Sequence, residues 1–585
     1  MKSFNHNVSA LVLAVCVTLF FALLLPHHLH LQEQQQLFLF DWQYISEVLS
    51  VPGGLADVMG RFCTQFFIYA WVGAAIVGLL IAAIWRLMRL VVSSFSHDVS
   101  AWGWADGLLL LPSGLLMGYM CDENALFGTL WAIMLSMLAT VVLAKISNWR
   151  IQCLIGVIGS VAMYWLVGPL AVVFVVLSSL YLVSREKNTS VGITVALMVV
   201  LFVIQPMIAR RLVSIDMDRL LYGVHYYRIL VVHPSLPWLS ALSIICASII
   251  CMMIKDKAKT IIHIASNGFA GLLICLLIWH ELYNPKVEKV LAYDFMVRCH
   301  QWDRIIDTAS RQSPNNAFCT TVLNLALAQK GKLTEHMFDY QQSGIAGLIP
   351  AFQRDAISPM AAAEVFYYIG MVNSAQRFVF EAQEAIPDFQ KSGRCYKRLA
   401  ETNIINGNYE VARKYLASLQ KSWYYRQWAT ETMSLLDNEA AIAKHREYGY
   451  LRKFKLTDDF FFSDREIIQM LGSLFMSNRH NRLAFEYLEA ANLLTCNLEM
   501  FVQCIGLNSD INYPVVPTIY QQAIMLWWAR EHNASEGLPN GVRHDIASQF
   551  NRFAAAIQSQ PVNYDKLKEQ FGNTYWYYYF TNIQK

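Results

Sequence analysis

The sequence predicts an all-α protein in two parts. Residues 1–283 are predicted to be a polytopic transmembrane helical domain, and residues 284–585 an extracytoplasmic array of helical hairpins. The chain is 55% hydrophobic and only 15% charged, whereas soluble domains carry about 25% charged residues. The long uncharged runs fall between residues 9 and 280. The second half has ordinary soluble composition, and its apolar residues recur at helical rather than strand spacing.

Nine segments of the first half are predicted membrane spans, since a helix needs roughly 20 apolar residues to cross a bilayer. They lie at about 9–25, 66–84, 103–120, 125–144, 151–168, 170–184, 191–208, 237–254 and 261–280. Residues 151–184 are too many for one helix, and Gly168-Pro169 predicts a break between two spans. No small-residue cleavage site follows the first segment, which is therefore predicted to be an uncleaved span.

The basic residues of the loops predict the orientation, because Lys and Arg concentrate on the cytoplasmic side. With a cytoplasmic N-terminus, the inside segments carry ten of them: Lys2, Arg86, Arg89, Lys145, Arg150, Arg185, Lys187, Lys255, Lys257 and Lys259. The outside loops carry five: Arg61, Arg210, Arg211, Arg219 and Arg228. An odd number of spans then places the second half outside the cytoplasm. We expect a protein of the cell inner membrane with a periplasmic C-terminal domain.

The second half contains helical hairpins with the spacing of tetratricopeptide repeats. In "RLAETNIINGNYEVARKYLASLQ", Gly407 and Ala412 occupy positions where two short helices approach closely. Gly370 and Ala375 lie 37 residues earlier in each case (407 − 370 and 412 − 375) and repeat the pattern. Stacked helix pairs form concave surfaces that bind other chains. The sequence thus predicts a tetratricopeptide-like superhelix with a protein partner, or else repeats that only pack on the membrane domain and cap it.

Three segments resemble a known but uncharacterised family. "EQQQLFLFDWQYISE", "PGGLADVMGRFCTQFF" and "SPMAAAEVFYYIGMVNSAQRFVFEAQEAIP" are similar to segments of bacterial multi-pass membrane proteins that contain a domain of unknown function. The resemblance runs along nearly the whole chain. It implies an inner-membrane protein with an extracytoplasmic helical tail, and it brings neither an activity nor catalytic residues.

Three polar elements are predicted on the outer side: the loop at residues 26–65, the turn "YMCDENALF" and the loop at residues 210–234. The first ends in "PGGLADVMGRFCTQFF", whose apolar spacing predicts a helix along the membrane surface. This outline resembles the C-type glycosyltransferases, which use lipid-linked sugars, over at most the first 280 residues. The Asp-Glu doublet that some of these enzymes carry in their first outer loop is absent here.

That resemblance implies roles for particular side chains. Glu33 or Asp41 would be the catalytic base that takes a proton from an acceptor hydroxyl. Asp122 and Glu123 would hold a divalent cation, Mg²⁺ or Mn²⁺, through oxygen ligands. Arginine would bind the phosphate of the lipid-linked sugar, because its planar fork matches phosphate oxygens. The candidate arginines are Arg210, Arg211, Arg219 and Arg228.

Each feature also has a structural interpretation. Outer-loop carboxylates are commonly solvated, and arginines near a bilayer commonly reach toward anionic headgroups of membrane lipid. His27, His28 and His30 have the residue type for zinc, but His28 turns away from the other two on an ideal helix, so an aromatic and polar collar is the alternative. The second functional hypothesis is therefore a non-enzymatic anchor that presents the hairpin domain in the periplasm. No nucleic-acid-binding motif is present, and few charges within the spans disfavour transport.

Overall fold

The computed structural model is all-α, which confirms the predicted fold class. It describes residues 2–95, 103–223, 234–253, 260–386, 390–456, 466–507, 511, 513–532, 537–558 and 562–583, and within these ranges it contains no strand. The helices of the first half are α1 (Lys2–Leu24), α2 (Pro26–Gln35), α3 (Trp42–Leu49), α4 (Gly54–Thr64), α5 (Ala70–Phe95), α6 (Leu111–Tyr119), α7 (Gly128–Ala144), α8 (Trp149–Val167), α9 (Val172–Arg185), α10 (Thr189–Leu212), α11 (Met217–Tyr222), α12 (Ser235–Met253) and α13 (Thr260–Leu277). Short 3-10 segments lie at Gln65–Ile68, Gly103–Leu110 and Gly168–Ala171, and a π-helical turn at Ile278–Leu282.

The second half consists of shorter helices. They are α14 (Pro285–Arg298), α15 (Trp302–Arg311), α16 (Ala317–Gln329), α17 (Leu333–His336), α18 (Ser358–Ile369), α19 (Val372–Glu384), α20 (Gly393–Asn406), α21 (Tyr409–Gln420), α22 (Arg426–Met433), α23 (Glu439–Lys444), α24 (Tyr448–Arg452), α25 (Ile467–Ser477), α26 (Arg482–Leu494), α27 (Leu498–Ile505), α28 (Thr518–Glu531), α29 (His544–Gln558), α30 (Tyr564–Phe571) and α31 (Tyr575–Ile583). Two 3-10 turns lie at Met337–Asp339 and Gly344–Gly347.

Contacts divide the chain into two compact units. The first, called here the membrane unit, comprises Met1–Glu288, Ala385–Arg394 and Ala417–Thr430. The second, called the hairpin unit, comprises Lys289–Glu384, Cys395–Leu416 and Glu431–Lys585. Two short segments of the C-terminal half therefore belong to the same compact unit as the apolar helices.

Among the described residues, six helical stretches are long and apolar enough to cross a membrane. They are Asn7–Leu24, Ala70–Phe95, Trp149–Arg185, Thr189–Leu212, Ser235–Met253 and Ala265–Leu282. Nine were predicted, and length explains the difference. Gly107–Tyr119 and Gly128–Ala144 are apolar helices but too short for this criterion, since 17 residues of helix extend about 26 Å. The remaining difference is that residues 149–185 form one stretch of 37 residues.

That 37-residue stretch is a hairpin of two helices. Gly168 separates them at φ 75° and ψ −158°, a conformation that glycine adopts without steric cost. A Cβ placed on Gly159 would lie 2.8 Å from the Phe174 ring, and one on Gly156 would lie 3.7 Å from Leu182. The contact farther from Gly168 on α8 is also farther from it on α9, so α8 and α9 run antiparallel. A break between two helices lies at Gly168-Pro169, and the count of spans that used it stays a prediction.

The connections between helices gather at two faces of the membrane unit. The face called here the loop face carries residues 26–69, 120–127, 168–171 and 213–223. Gly53 of the first loop donates its N–H to the carbonyl of Trp165 at 3.0 Å, which places the end of α8 beside that loop. At the opposite face, the Tyr181 hydroxyl donates to the carbonyl of Ala144 at 2.9 Å, which brings the ends of α7 and α9 together. The described parts of the loops predicted to share one side thus lie at one face, and the side of the membrane that this face takes stays a prediction.

Helix α4 confirms the helix predicted in "PGGLADVMGRFCTQFF", but its small residues make the contacts. Ala56, Gly60 and Thr64 are buried, while Phe62 is exposed. A Cβ on Gly60 would lie 2.4 Å from the backbone nitrogen of Gly128. Glycine at this crossing lets α4 and α7 approach at backbone distance, as small residues do between membrane helices.

The hairpin unit is built from antiparallel helix pairs. Gly370 ends α18 at φ 97° and Gly407 ends α20 at φ 81°, so both glycines of the predicted spacing occupy the left-handed conformation that closes a helix. Phe366 of α18 stacks on Phe378 of α19 with ring centroids 5.2 Å apart. The aromatic tail is also part of this unit, because Trp576 is fully buried and donates its indole N–H to a carbonyl of α28.

Candidate functional site at the loop face

Helix α2 begins the loop face with polar side chains that are almost all buried. Proline at its first position fixes φ for the helix. The buried polar residues are His28, His30, Gln32, Glu33, Gln34 and Gln35. Because a buried polar group is costly unless it is hydrogen-bonded, the partners of these side chains indicate what α2 does.

Gln32 of α2 and Gln36, the residue that follows this helix, bind the turn that carries the predicted metal ligands. Gln32 donates its amide to the carbonyl of Asp122, and Gln36 donates to the carbonyl of Ala125, each at 3.4 Å. The helix with Glu33 and the turn at residues 120–127 are therefore neighbours, although the two lie far apart in the sequence. These two bonds hold the turn through its main-chain carbonyls, and neither uses the carboxylate of Asp122 or Glu123.

The predicted carboxylates differ in environment. Glu33 is buried on α2. Asp122 is exposed and accepts the N–H of Asn124 at 2.8 Å, which is a local turn contact, and Glu123 beside it is half-buried. Among the described residues, no three His, Cys, Asp or Glu side chains are grouped so that they are able to hold a metal ion. The roles predicted for Glu33, Asp122 and Glu123 stay predictions.

His27 and His28 lie at the N-terminus of α2, where both contact Glu288. Glu288 accepts the backbone N–H of His27 at 2.9 Å, and its other oxygen lies 2.6 Å from Nδ1 of His28. A carboxylate at this end of a helix is favoured by the exposed N–H groups and by the helix dipole. Nδ1 of His27 lies 3.1 Å from Nδ1 of His30. These contacts support the polar-collar interpretation of the histidines.

Asp41, the other predicted base, lies in an ion pair. Its carboxylate is 3.0 Å from Nζ of Lys421. Two main-chain hydrogen bonds flank this pair: Leu37 donates to the carbonyl of Lys391 at 3.0 Å, and Phe40 donates to the carbonyl of Lys421 at 2.7 Å. The first loop is thus bound to both C-terminal segments of the membrane unit.

A buried arginine adds to this attachment. Arg394 is buried and donates to the side-chain oxygen of Gln34 at 3.1 Å. The neighbouring Gly393 leaves room for the Tyr425 ring, since a Cβ on that glycine would lie 2.3 Å from the ring. The segments at residues 385–394 and 417–430 therefore also pack on one another.

The predicted phosphate-binding arginines are not equivalent. Arg210 and Arg211 are exposed at the last turn of α10, where arginine side chains can extend to anionic headgroups. Arg219 on α11 is largely buried and lies 3.3 Å from a carboxylate oxygen of Asp57. Arg228 lies outside the described residues. Arg219 thus differs from Arg210 and Arg211 in forming an ion pair with a carboxylate of the same chain.

Asp57 lines a cleft that the sequence did not predict. Its carboxylate lies between Arg219 and Arg61, the latter 3.8 Å away. The cleft has a volume of about 40 Å³, and Tyr222 and Trp238 form part of its wall. Backbone forms another part, at Gly53, Gly128, Gly168 and Gly223. A clue existed in the sequence, because Asp57 follows Pro-Gly-Gly in the first turn of a helix.

A second cluster of charges lies inside the hairpin unit. Arg398 is buried, with Glu364 at 2.6 Å and Glu401 at 2.8 Å, and its guanidinium carbon lies 3.7 Å from the centre of the Tyr367 ring. Burial raises the pKa of Glu401, and Arg398 offsets part of that effect. The sequence analysis did not identify this cluster, because its members come from separate helix pairs.

The comparisons with known proteins give a family and no activity. The model of a family of unknown function, DUF6057, matches residues 2–582. No curated protein and no solved structure matches the chain.

Proposed function

Because the chain belongs to DUF6057, a family of unknown function, we propose its role from geometry: it is a membrane anchor that holds a helical-hairpin scaffold at one face of a bilayer. The observation that carries this proposal is the attachment of the first loop to residues 391 and 421 through main-chain hydrogen bonds and the Asp41–Lys421 ion pair. Main-chain bonds of this kind fix the position of a segment whatever its side chains are.

The contacts made around the two predicted catalytic bases favour an anchor over an enzyme. Asp41 forms an ion pair with Lys421. The segment that carries Glu33 packs on the turn at residues 120–127 through Gln32 and Gln36. A catalytic base needs access to the proton that it removes. In the anchor proposal, the loop face is periplasmic, the membrane is the cell inner membrane with the N-terminus in the cytoplasm, and the tetratricopeptide-like hairpins bind a protein partner.

Site-specific photocross-linking in the native host tests the anchor. Phe380 and Met476, both exposed in the hairpin unit, are replaced one at a time by a photoreactive phenylalanine derivative. We expect both positions to give an adduct with the same protein, because a scaffold presents one surface to its partner. Leu197 on α10, 44% exposed like Phe380, is the control, and it should give lipid adducts only. Protein adducts absent from both hairpin positions would contradict the anchor proposal.

A second function is favoured by the Asp57 cleft: transfer of a glycan from a lipid-linked donor. Arg219 and Arg61 have the donors to hold the phosphate that leaves with the lipid. Asp57 between them, or Glu33 nearby in the sequence, would take the proton of the acceptor hydroxyl as the glycosidic bond forms to its oxygen. A divalent cation, if used, would be Mg²⁺ or Mn²⁺ on Asp122 and Glu123. The aromatic wall formed by Tyr222 and Trp238 suits a sugar ring.

Mass spectrometry of lipid-linked glycans separates the two functions. A strain that lacks the protein is complemented with wild type, Asp57→Asn, Glu33→Gln or the exposed control Asp437→Asn. A transferase predicts that the donor accumulates in the deletion strain and with the variant of its base, because loss of a positioned base slows the transfer at least about 100-fold. The anchor predicts wild-type glycan levels in every strain.

A further inference from the structure

A connected group of aromatic rings lies at the loop face where α5 begins. Phe62 contacts Phe66 with ring centroids 5.6 Å apart, and Phe66 contacts Trp423 at 5.3 Å. Trp423 also lies 6.2 Å from Tyr69, the residue before α5. Three of these rings come from the first loop and one from residues 417–430, so the C-terminal half contributes to the aromatic group.

Contacts with the first loop and with Gly393 hold the turn that carries Trp423 in place. Lys421 is bound on both sides, its carbonyl accepting the N–H of Phe40 and its ammonium pairing with Asp41. Tyr425 is buried against Gly393. Ser422 is buried as well, whereas Trp423 and Tyr424 between Ser422 and Tyr425 project outward.

The outward residues are large and aromatic. Trp423 is 45% exposed and Tyr424 is 43% exposed. Arg426 and Lys421 on either side are also exposed. The segment "KSWYYRQW" thus combines indole and phenol rings with flanking positive charges, which is the composition of a polypeptide held at a lipid–water interface.

The aromatic turn lies beside the start of α5. α5 is one of the six stretches long and apolar enough to span a bilayer, and its second residue, Trp71, is 57% exposed. Tyr69 and Trp71 therefore mark the level at which α5 enters lipid, since Trp and Tyr concentrate at that level. Trp423 touches Tyr69, so it lies at the same level.

We propose that the turn at residues 421–426 is a lipid-contact element, which inserts Trp423 and Tyr424 into the headgroup region of the bilayer beside the start of α5. The ligand is the lipid surface itself, with anionic headgroups favoured by the exposed Arg426. The C-terminal half thereby touches the membrane through its own side chains, as well as through the chain that connects it to α13. This contact is independent of the partner and of the reaction discussed above.

Quenching by spin-labelled lipid tests the proposal. A fluorescent amino acid is introduced at Tyr424 or at Trp423 of the full-length protein, in nanodiscs of phosphatidylcholine and phosphatidylglycerol with or without 5-doxyl-phosphatidylcholine. Trp71 is the positive control on α5. Tyr450 of the hairpin unit, 43% exposed like Tyr424, is the matched control. We expect the doxyl lipid to lower the fluorescence at both turn positions about twofold or more, as for residues of the interfacial aromatic belt, and to leave Tyr450 unchanged.

The proposal is overturned if Trp71 is quenched while the two turn positions are quenched no more than Tyr450. Trp423 and Tyr424 would then face water, a second copy of the chain or another protein. The two label positions make the outcome independent of a local effect of either replacement, and the result depends on neither the photocross-linking nor the glycan measurement.

Discussion

Arg398→Ala is expected to lower the free energy of unfolding of the hairpin unit by about 3–5 kcal/mol, the usual cost of removing one partner of a buried ion network. Arg398 is the positive charge between two buried carboxylates, Glu364 and Glu401. Without it, the two buried carboxylates lose the cation that lies 2.6 Å and 2.8 Å from them, which disfavours their charged forms. The guanidinium also covers the Tyr367 ring, so alanine leaves a cavity as well.

An exposed arginine pair provides the matched control. Arg413 lies 2.9 Å from Asp437 at the surface of the same unit, and pairs of this kind contribute about 0–1 kcal/mol. Arg413→Ala should therefore unfold almost as the wild type does. The measurement is denaturant unfolding of the full chain in nanodiscs, followed by proteolysis within the hairpin unit. Equal midpoints for the two variants would refute the assigned role of Arg398.

Gly60→Ala is expected to cost about 1–3 kcal/mol, the range for overpacking a close contact, and to detach α4 from α7. The added methyl carbon would lie 2.4 Å from the nitrogen and 2.6 Å from the Cα of Gly128. Backbone atoms cannot rotate away as a flexible side chain does, so the two helices must separate. Asp57, one turn before Gly60 on α4, would move away from Arg219 as a consequence.

Gly192→Ala is the control for this substitution. Gly192 lies in α10, and no atom is found within 4 Å of the Cβ that alanine would add. This variant adds the same methyl group at a position where it does not press on another helix. Thermal unfolding and protease cleavage after Arg61 report the detachment of α4. If both variants resist heat and protease alike, α4 and α7 do not cross at backbone distance.

The helices of the membrane unit were predictable because a bilayer restricts them so strongly. A span must be apolar over its length and must satisfy its own backbone, so long apolar runs indicate helices. Six described stretches are long and apolar enough to cross a bilayer, and the division into nine spans stays a prediction. The turn at Gly168-Pro169 was predictable for a local reason, namely a proline that follows a glycine. The hairpin glycines Gly370 and Gly407 were also local signals, since each needs a positive φ.

The contacts of the candidate site were not predictable in the same way. Lys421 pairs with Asp41 across 380 residues of sequence (421 − 41), and no local pattern connects the two. Asp41, predicted as a base by analogy, lies in this ion pair, and its role as a base stays a prediction. The cleft around Asp57 arises where four chain segments meet at glycines, and the free space between them depends on backbone approach that composition does not encode.

Carbodiimide cross-linking of the native protein in its own membranes tests the attachment of the first loop most directly. The reagent joins a carboxylate and an amine only where they already touch, and Asp41 and Lys421 are partly exposed and 3.0 Å apart. Mass spectrometry should identify an amide bond between the peptides that contain Asp41 and Lys421, and Asp41→Asn should abolish it. If the Asp303–Lys330 pair of the hairpin unit is cross-linked in the same sample and the Asp41–Lys421 link is absent, the first loop does not hold the C-terminal half and the anchor account is wrong.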